Sequence, residues 1–173
     1  NEKKTDNPVT LFGINKLIAE KYLEFFSSIY NVNAVNLRLS NVYGPSVSKK
    51  NFLKVSLNKI IYDACQGKVN LYLNKNSIRD YIFIDDVVDS IFYAMKNIRN
   101  FKDAYYYIGS GKGFTIKKVA KLIINKIKLI NKSKIYINNV DTKLSDFDKR
   151  NFIRNIKNFK KMIKWKPNVN LDK

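Results

Sequence analysis

Residues 78–96, IRDYIFIDDVVDSIFYAMK, change their apolar period halfway along. Ile78–Ile84 runs apolar or alternates, which predicts a strand, and beyond Asp85 or Asp86 as a helix cap the apolar positions fall at Val87, Val88, Ile91, Phe92 and Met95. A strand leading straight into a helix sets the pattern for the rest of the chain. Upstream, residues 11–30 space Leu11, Ile14, Ile18, Tyr22, Phe25 and Ile29 by threes and fours, predicting a buried amphipathic helix. Residues 34–39 predict a short buried strand that ends at Asn41 and the Gly44-Pro45 turn. Residues 52–65 predict a helix closed by Gly67, and Val69–Leu73 a strand. Downstream, Ala104–Ile108 predicts a strand, and Gly109, Gly111 and Gly113 break the pattern. Thr115 then caps a helix with Ile116, Val119, Ala120, Ile123, Ile127 and Ile130 on one side. Ile135–Ile137 and Ile156–Ile163 give a last strand and a last helix. Strands and helices alternate throughout, without an internal repeat or a low-complexity linker, so the fold class is mixed α/β.

A chain of 173 residues and 20.2 kDa fits one domain better than two. With 45% hydrophobic and 13% aromatic residues it has the means to build a core, and no apolar run reaches the ~20 residues that span a bilayer. Residues 1–10 carry no apolar signal core. Cys65 is the single cysteine and is expected in the core, and the absence of histidine removes the usual zinc site and any His-based triad. No metal site is expected, and a reducing cytoplasm is the simplest compartment. The net charge of +19 is concentrated late: 15 basic and 10 acidic residues lie up to Gly111, and 18 against 4 beyond it. Lys117, Lys118, Lys121 and Lys128, like Lys157, Lys160, Lys161 and Lys164, fall on helix faces that read as solvated, so nucleic acid is not the expected partner.

Five motifs then appear in order: Phe12-Gly13-Ile14-Asn15-Lys16, Arg38-Leu39-Ser40-Asn41-Val42-Tyr43-Gly44-Pro45, Arg79-Asp80-Tyr81-Ile82-Phe83-Ile84-Asp85-Asp86, Tyr107-Ile108-Gly109-Ser110-Gly111 with Phe114-Thr115-Ile116, and Asn155-Ile156-Lys157 leading to Trp165-Lys166-Pro167. This series resembles the extended short-chain dehydrogenase/reductase family, specifically the NAD-dependent nucleotide-sugar epimerases and dehydratases. The resemblance covers almost the whole chain and implies the C-terminal half of a Rossmann-type enzyme. Residues 1–45 would end the Rossmann core with the catalytic helix and following strand. Residues 46–173 would form mainly the substrate-binding α/β region, with 78–100 returning to the core. The family's glycine-rich turn for NAD or NADP and its acidic ribose ligand do not occur in these residues, so the chain alone is not expected to bind the cofactor. Gly109-x-Gly111-x-Gly113 lacks the rest of that fingerprint and reads as a structural turn.

The family has Tyr-x-x-x-Lys on its catalytic helix, and here Phe12 and Lys16 occupy those positions. A phenyl ring has no proton to exchange, and Thr10 is a poor replacement. Phe12 is therefore either a packed aromatic or the remnant of a site. The resemblance implies Lys16 and Leu39 at the cofactor and Asn41 and Arg79 near a substrate diphosphate. It also implies Asn51-Phe52-Leu53 along the substrate backbone, Tyr72 against the base, and Arg150 as a second phosphate contact. Each has a plainer reading: Asn41 as an Asx turn, Arg79 paired with Asp80 or Asp85, and Tyr72 as a strand aromatic. Arg38 reads as a structural hydrogen-bond donor. Phe83 replaces a histidine common in the family.

The function implied is NAD-dependent modification of nucleotide sugars for polysaccharide or glycoconjugate precursors, by a chain incomplete or inactive alone. The alternative is a non-catalytic nucleotide-sugar-binding or basic scaffold module that binds polyanions. The implied partners are a nucleotide-diphosphate sugar and either a second copy of the chain through the 12–30 helix, with Leu17, Tyr22 and Phe26 at that interface, or a separate Rossmann half; no membrane partner is expected. Exposed apolar helix faces and a sheet edge are expected, and with them self-association.

Overall fold

A computed structural model describes residues 7–132, 134–141, 148 and 150–172. Helix α1 (Leu11–Tyr30) starts at Thr10, whose Oγ1 accepts from the Gly13 amide at 3.1 Å. It ends at Asn31 in the left-handed region, as short polar residues can. Strands β1 (Asn36–Leu39) and β2 (Asn41–Tyr43) follow, then α2 (Lys49–Lys54) and α3 (Ser56–Cys65). Strand β3 (Lys68–Leu71), a 3₁₀ turn at Leu73–Asn76, β4 (Ile78–Phe83) and α4 (Ile84–Lys96) form the middle of the chain. Strands β5 (Tyr105–Ile108) and β6 (Gly113–Thr115), α5 (Ile116–Asn131), β7 (Tyr136–Asn139) and α6 (Lys157–Met162) complete the described elements.

The strands form three small groups, β1-β5, β2-β4-β6 and β3-β7, in which only the β4-β6 pair is antiparallel. Parallel pairing of β1 with β5, Leu39 facing Ile108, requires a long crossover, and α4 is part of it. The main core gathers Ile82, Val87, Tyr106, Ile108, Phe159 and Trp165. Phe159 sits 5.3 Å from the Trp165 ring, edge on, in the geometry aromatic pairs prefer. A second cluster, with Ile60, Val69, Leu71, Ala120, Ile124 and Ile135, packs α3 and α5 together with β3.

Several expectations need correction. The 52–65 helix is two helices, because Val55 is extended (φ −86°, ψ 121°), and Ser48 caps the first of them by accepting from the Asn51 amide. Asp85 and Asp86 do not cap α4. Phe83 stands at its N-cap, and both acids lie in the first turn, where they complement the helix dipole. Asp86 is buried and accepts from the Asn168 and Val169 amides at 2.8 and 3.1 Å, so it anchors the C-terminal segment. Cys65 is exposed at the end of α3 and does not pack in the core. Tyr72 falls outside β3, exposed before the 3₁₀ turn. Helix α1 forms over the expected residues but buries none of them; of the expected α4 face, Val87 is buried while Val88, Ile91, Phe92 and Met95 are exposed. The eight lysines assigned to helix faces are all exposed. Among the described residues no helix is long and apolar enough to cross a membrane.

Candidate functional site

One turn of α1 separates Phe12, Lys16 and Glu20, so the three share a side of the helix. Arg38 on β1 grips Glu20 with two nitrogens, Nε at 2.8 Å and Nη2, and its guanidinium lies 3.5 Å from the Tyr105 ring centroid. Arg38 is therefore a structural donor, as expected. A two-pronged, mostly buried pair of this kind fixes orientation as well as distance, and it holds α1 over the carboxyl end of β1.

Between α1 and the ends of β1 and β5 lies a cleft of about 750 Å³. Its walls include Phe12, Lys16 and Glu20 from α1, Leu39 and Ser40 from the end of β1, Tyr107 from β5, and Arg150 and Arg154 from the segment before α6. Crevices outside the carboxyl ends of parallel strands are where α/β sheets bind ligands. Phe12 is 72% exposed here, so it is not a packed core aromatic. The Lys16 ammonium lies 5.5 Å from the centre of its ring. Thr10 has its hydroxyl engaged at the helix cap.

The sequence-derived set is thus split. Phe12, Lys16, Leu39 and Arg150 converge on the cleft, whereas Asn41, Asn51, Phe52, Leu53, Tyr72 and Arg79 do not line it. Asn41 is no Asx turn: its Nδ2 donates across the sheet to the Asp80 carbonyl at 3.0 Å. Arg79 pairs with neither Asp80 nor Asp85. It donates to the main-chain carbonyls of Ile78, Asp148 and Arg150, and so ties β4 to the segment that carries Arg150. Phe83, in the family's histidine position, packs edge-on against Tyr43 at 5.4 Å.

Asp80 organises the far wall. It is fully buried and accepts from the Ser110 amide and hydroxyl, the Gly111 amide and the Arg154 amide, at 2.6 to 3.2 Å. Gly109 makes room for it, since a Cβ there would stand 2.5 Å from Asp80 Oδ2. A Cβ on Gly113 would meet Ile153 and Ile78 at 2.5 and 2.6 Å. These two glycines of the Gly109–Gly113 turn serve packing and the Asp80 network. Among the described residues no other glycine turn leads into a helix N-terminus beside the cleft.

Electrostatically the cleft is basic. Burial pushes the Arg154 guanidinium below its ordinary pKa, Tyr107 opposes that shift, and Arg38 adds to it. Burial raises the Tyr81 and Tyr43 phenols; at Tyr81 the Arg79 charge works against the shift, and at Tyr43 the Asp86 carboxylate reinforces it. Sequence reasoning missed Ser40, Tyr107 and Arg154. Ser40 could have been found, because it directly follows the last residue of a parallel strand; Arg154 lies in a lysine-rich stretch with no periodic signal.

Comparison with known proteins gives a consistent picture. The family model of the NAD dependent epimerase/dehydratase family matches residues 1–109. The dTDP-4-dehydro-6-deoxyglucose reductase of Escherichia coli is 30% identical over 169 residues, covering 95% of this chain and 50% of that protein. The crystal structure of UDP-glucose 4-epimerase with UDP-glucose from Thermotoga maritima superposes with a TM-score of 0.77 at 27% identity, over 96% of this chain and 51% of that one. The dTDP-glucose 4,6-dehydratase of Bacillus anthracis in complex with NAD gives 0.80 at 20% identity, over 99% and 51%, a likeness of fold alone. The chain spans about half the length of the curated relatives it matches.

Proposed function

The chain belongs to the NAD dependent epimerase/dehydratase family, and from that premise we propose that it binds a nucleoside-diphosphate sugar in the cleft beside Phe12 and Lys16. In this reading it serves the modification of such sugars for polysaccharide or glycoconjugate precursors, and it does not turn over by itself. The observation that carries the reading is the convergence of Lys16, Leu39 and Arg150 on one basic cleft at the carboxyl ends of β1 and β5. The likeness to a UDP-glucose-bound epimerase supports the ligand class.

Residues 1–45 with 78–100 act as the end of a Rossmann-type core, and most of 46–173 as the substrate side. Lys16 holds ligand hydroxyls and supplies positive charge, with Leu39 beside it. Arg150 meets phosphate oxygens, and Arg79 works through it by gripping its carbonyl. Asn41 orients β2 against β4 near the diphosphate, Asn51, Phe52 and Leu53 follow the substrate backbone, and Tyr72 offers a face to the base. Phe12 can exchange no proton, so no acid–base step is assigned to it. No hydride step is assigned to the chain by itself; in this reading a Rossmann-type partner brings it.

Calorimetric titration with UDP-, GDP-, CDP- and dTDP-sugars at two salt concentrations tests the reading. Saturable, base-selective binding with a shallow salt dependence is the expected result. Binding to any polyanion that collapses steeply with salt would instead identify a basic scaffold module, because each released counterion adds to the slope. Absence of binding to all four would remove the reading.

A further inference from the structure

Two buried polar atoms in the cleft wall have no hydrogen-bond partner among the described residues: Ser40 Oγ and Arg154 Nε. Ser40 is 9% exposed, so bulk water does not compensate its hydroxyl freely. Arg154 is clamped between the Tyr107 and Phe152 rings, 4.6 and 4.7 Å from their centroids, which fixes a flat cation without neutralising it.

The other arginines nearby show what neutralisation looks like in this molecule. Arg38 is neutralised by the Glu20 carboxylate, and Arg79 has its donors satisfied, though not its charge, by three main-chain carbonyls. The acid beside Arg154, Asp80, touches it only through the backbone amide at 3.1 Å, and its remaining bonds go to Ser110 and Gly111. Ser40 adjoins the same network. The point where a Cβ on Gly109 would stand is 3.1 Å from Ser40 Oγ and 2.5 Å from Asp80 Oδ2. A half-buried guanidinium whose Nε has no hydrogen-bond partner is completed by an anionic ligand; burial lowers its pKa, and the Asp80 carboxylate opposes that shift without bonding to the guanidinium.

The geometry points to an oxyanion site in which the Ser40 hydroxyl and the Arg154 guanidinium together take one phosphate or carboxylate group of the ligand that enters beside Lys16. The inference rests on the proposed function for the identity of that ligand, and on the unpaired atoms for the existence of the site. A guanidinium offers N–H donors to two oxygens, and a hydroxyl adds one more donor, which suits either anion.

The test titrates the 173-residue chain with sodium pyrophosphate, D-glucuronate and UDP at low ionic strength. Wild type, Arg154→Gln, Arg154→Lys, Ser40→Ala and the surface control Lys121→Gln are compared, with circular dichroism to check folding. Arg154→Gln is expected to weaken anion binding at least tenfold and Ser40→Ala several-fold, with Arg154→Lys between wild type and Arg154→Gln and Lys121→Gln unchanged. Tighter binding of pyrophosphate assigns the group to a phosphate, and tighter binding of glucuronate assigns it to a carboxylate. If Arg154→Gln does not fold, Arg154→Lys and Ser40→Ala carry the same comparison. Wild-type affinity in Arg154→Gln, equal losses in Lys121→Gln, or no binding of either small anion to wild type would overturn the site. UDP binding that ignores Arg154 would overturn this inference and leave the proposed function standing. UDP binding no tighter than Arg154-dependent pyrophosphate binding would do the reverse.

Discussion

Phe12 stands one helical turn before Lys16, with its ring 72% exposed and the Lys16 ammonium 5.5 Å from its centre. A hydroxyl added to that ring would enter solvent and displace nothing, so Phe12→Tyr should change stability by no more than about 0.5 kcal/mol. The adjacent ammonium should pull the new phenol below the ordinary value of about 10, by favouring the phenolate. A difference titration of wild type and variant by NMR with labelled tyrosine reads this directly; an added phenol that titrates at the ordinary value would show that Lys16 does not act on position 12. The same residues show what a sequence can disclose at this scale. The pairing of Phe12 with Lys16 was legible in the sequence through the family resemblance, and a spacing of four residues sets the two about one helical turn apart. The three bonds of Arg79 were not, because they go to main-chain carbonyls, which leave no mark on residue identity.

Helices α1 and α5 both open on a threonine whose Oγ1 accepts an amide three residues on, at 3.1 Å in each case. Their surroundings differ: α5 buries Val119, Ala120 and Ile124, and α1 buries nothing. Loss of the cap should therefore have different consequences. Thr115→Ala should lower global stability by about 1 kcal/mol in a urea melt. Thr10→Ala should leave that midpoint nearly unchanged and speed amide exchange in the first turns of α1. Equal global effects from the two would mean that α1 is as well anchored as α5. Element boundaries follow the same logic. The long periodic runs that became α1, α4 and α5 were legible in the sequence. The break at Val55 was hidden because an apolar residue at a helical position continues the pattern, and β6 was hidden because Gly113 begins it.

Across the whole molecule the exposed apolar surface is the dominant fact. The outer face of α1 carries Ile18, Tyr22 and Phe25 around an apolar groove of about 480 Å³, and α4 exposes Val88, Ile91, Phe92 and Met95. Patches of this kind on an isolated chain favour association. Sedimentation velocity on the chain expressed alone should show concentration-dependent oligomers, and the double substitution Ile18→Glu with Phe25→Glu should shift the distribution toward monomer. A monodisperse monomer at all concentrations would contradict this. The sequence by itself determined the alternation of strands and helices, the family, and the Phe12–Lys16 spacing, because apolar period and motif order are local properties of the chain. Only the tertiary structure decided which apolar faces are covered, that Arg79 holds the backbone while Arg154 lies unpaired in the cleft, and that Asp80 and Asp86 anchor distant segments. Burial and pairing depend on contacts between residues far apart in the chain, up to 83 positions for Asp86 with Val169.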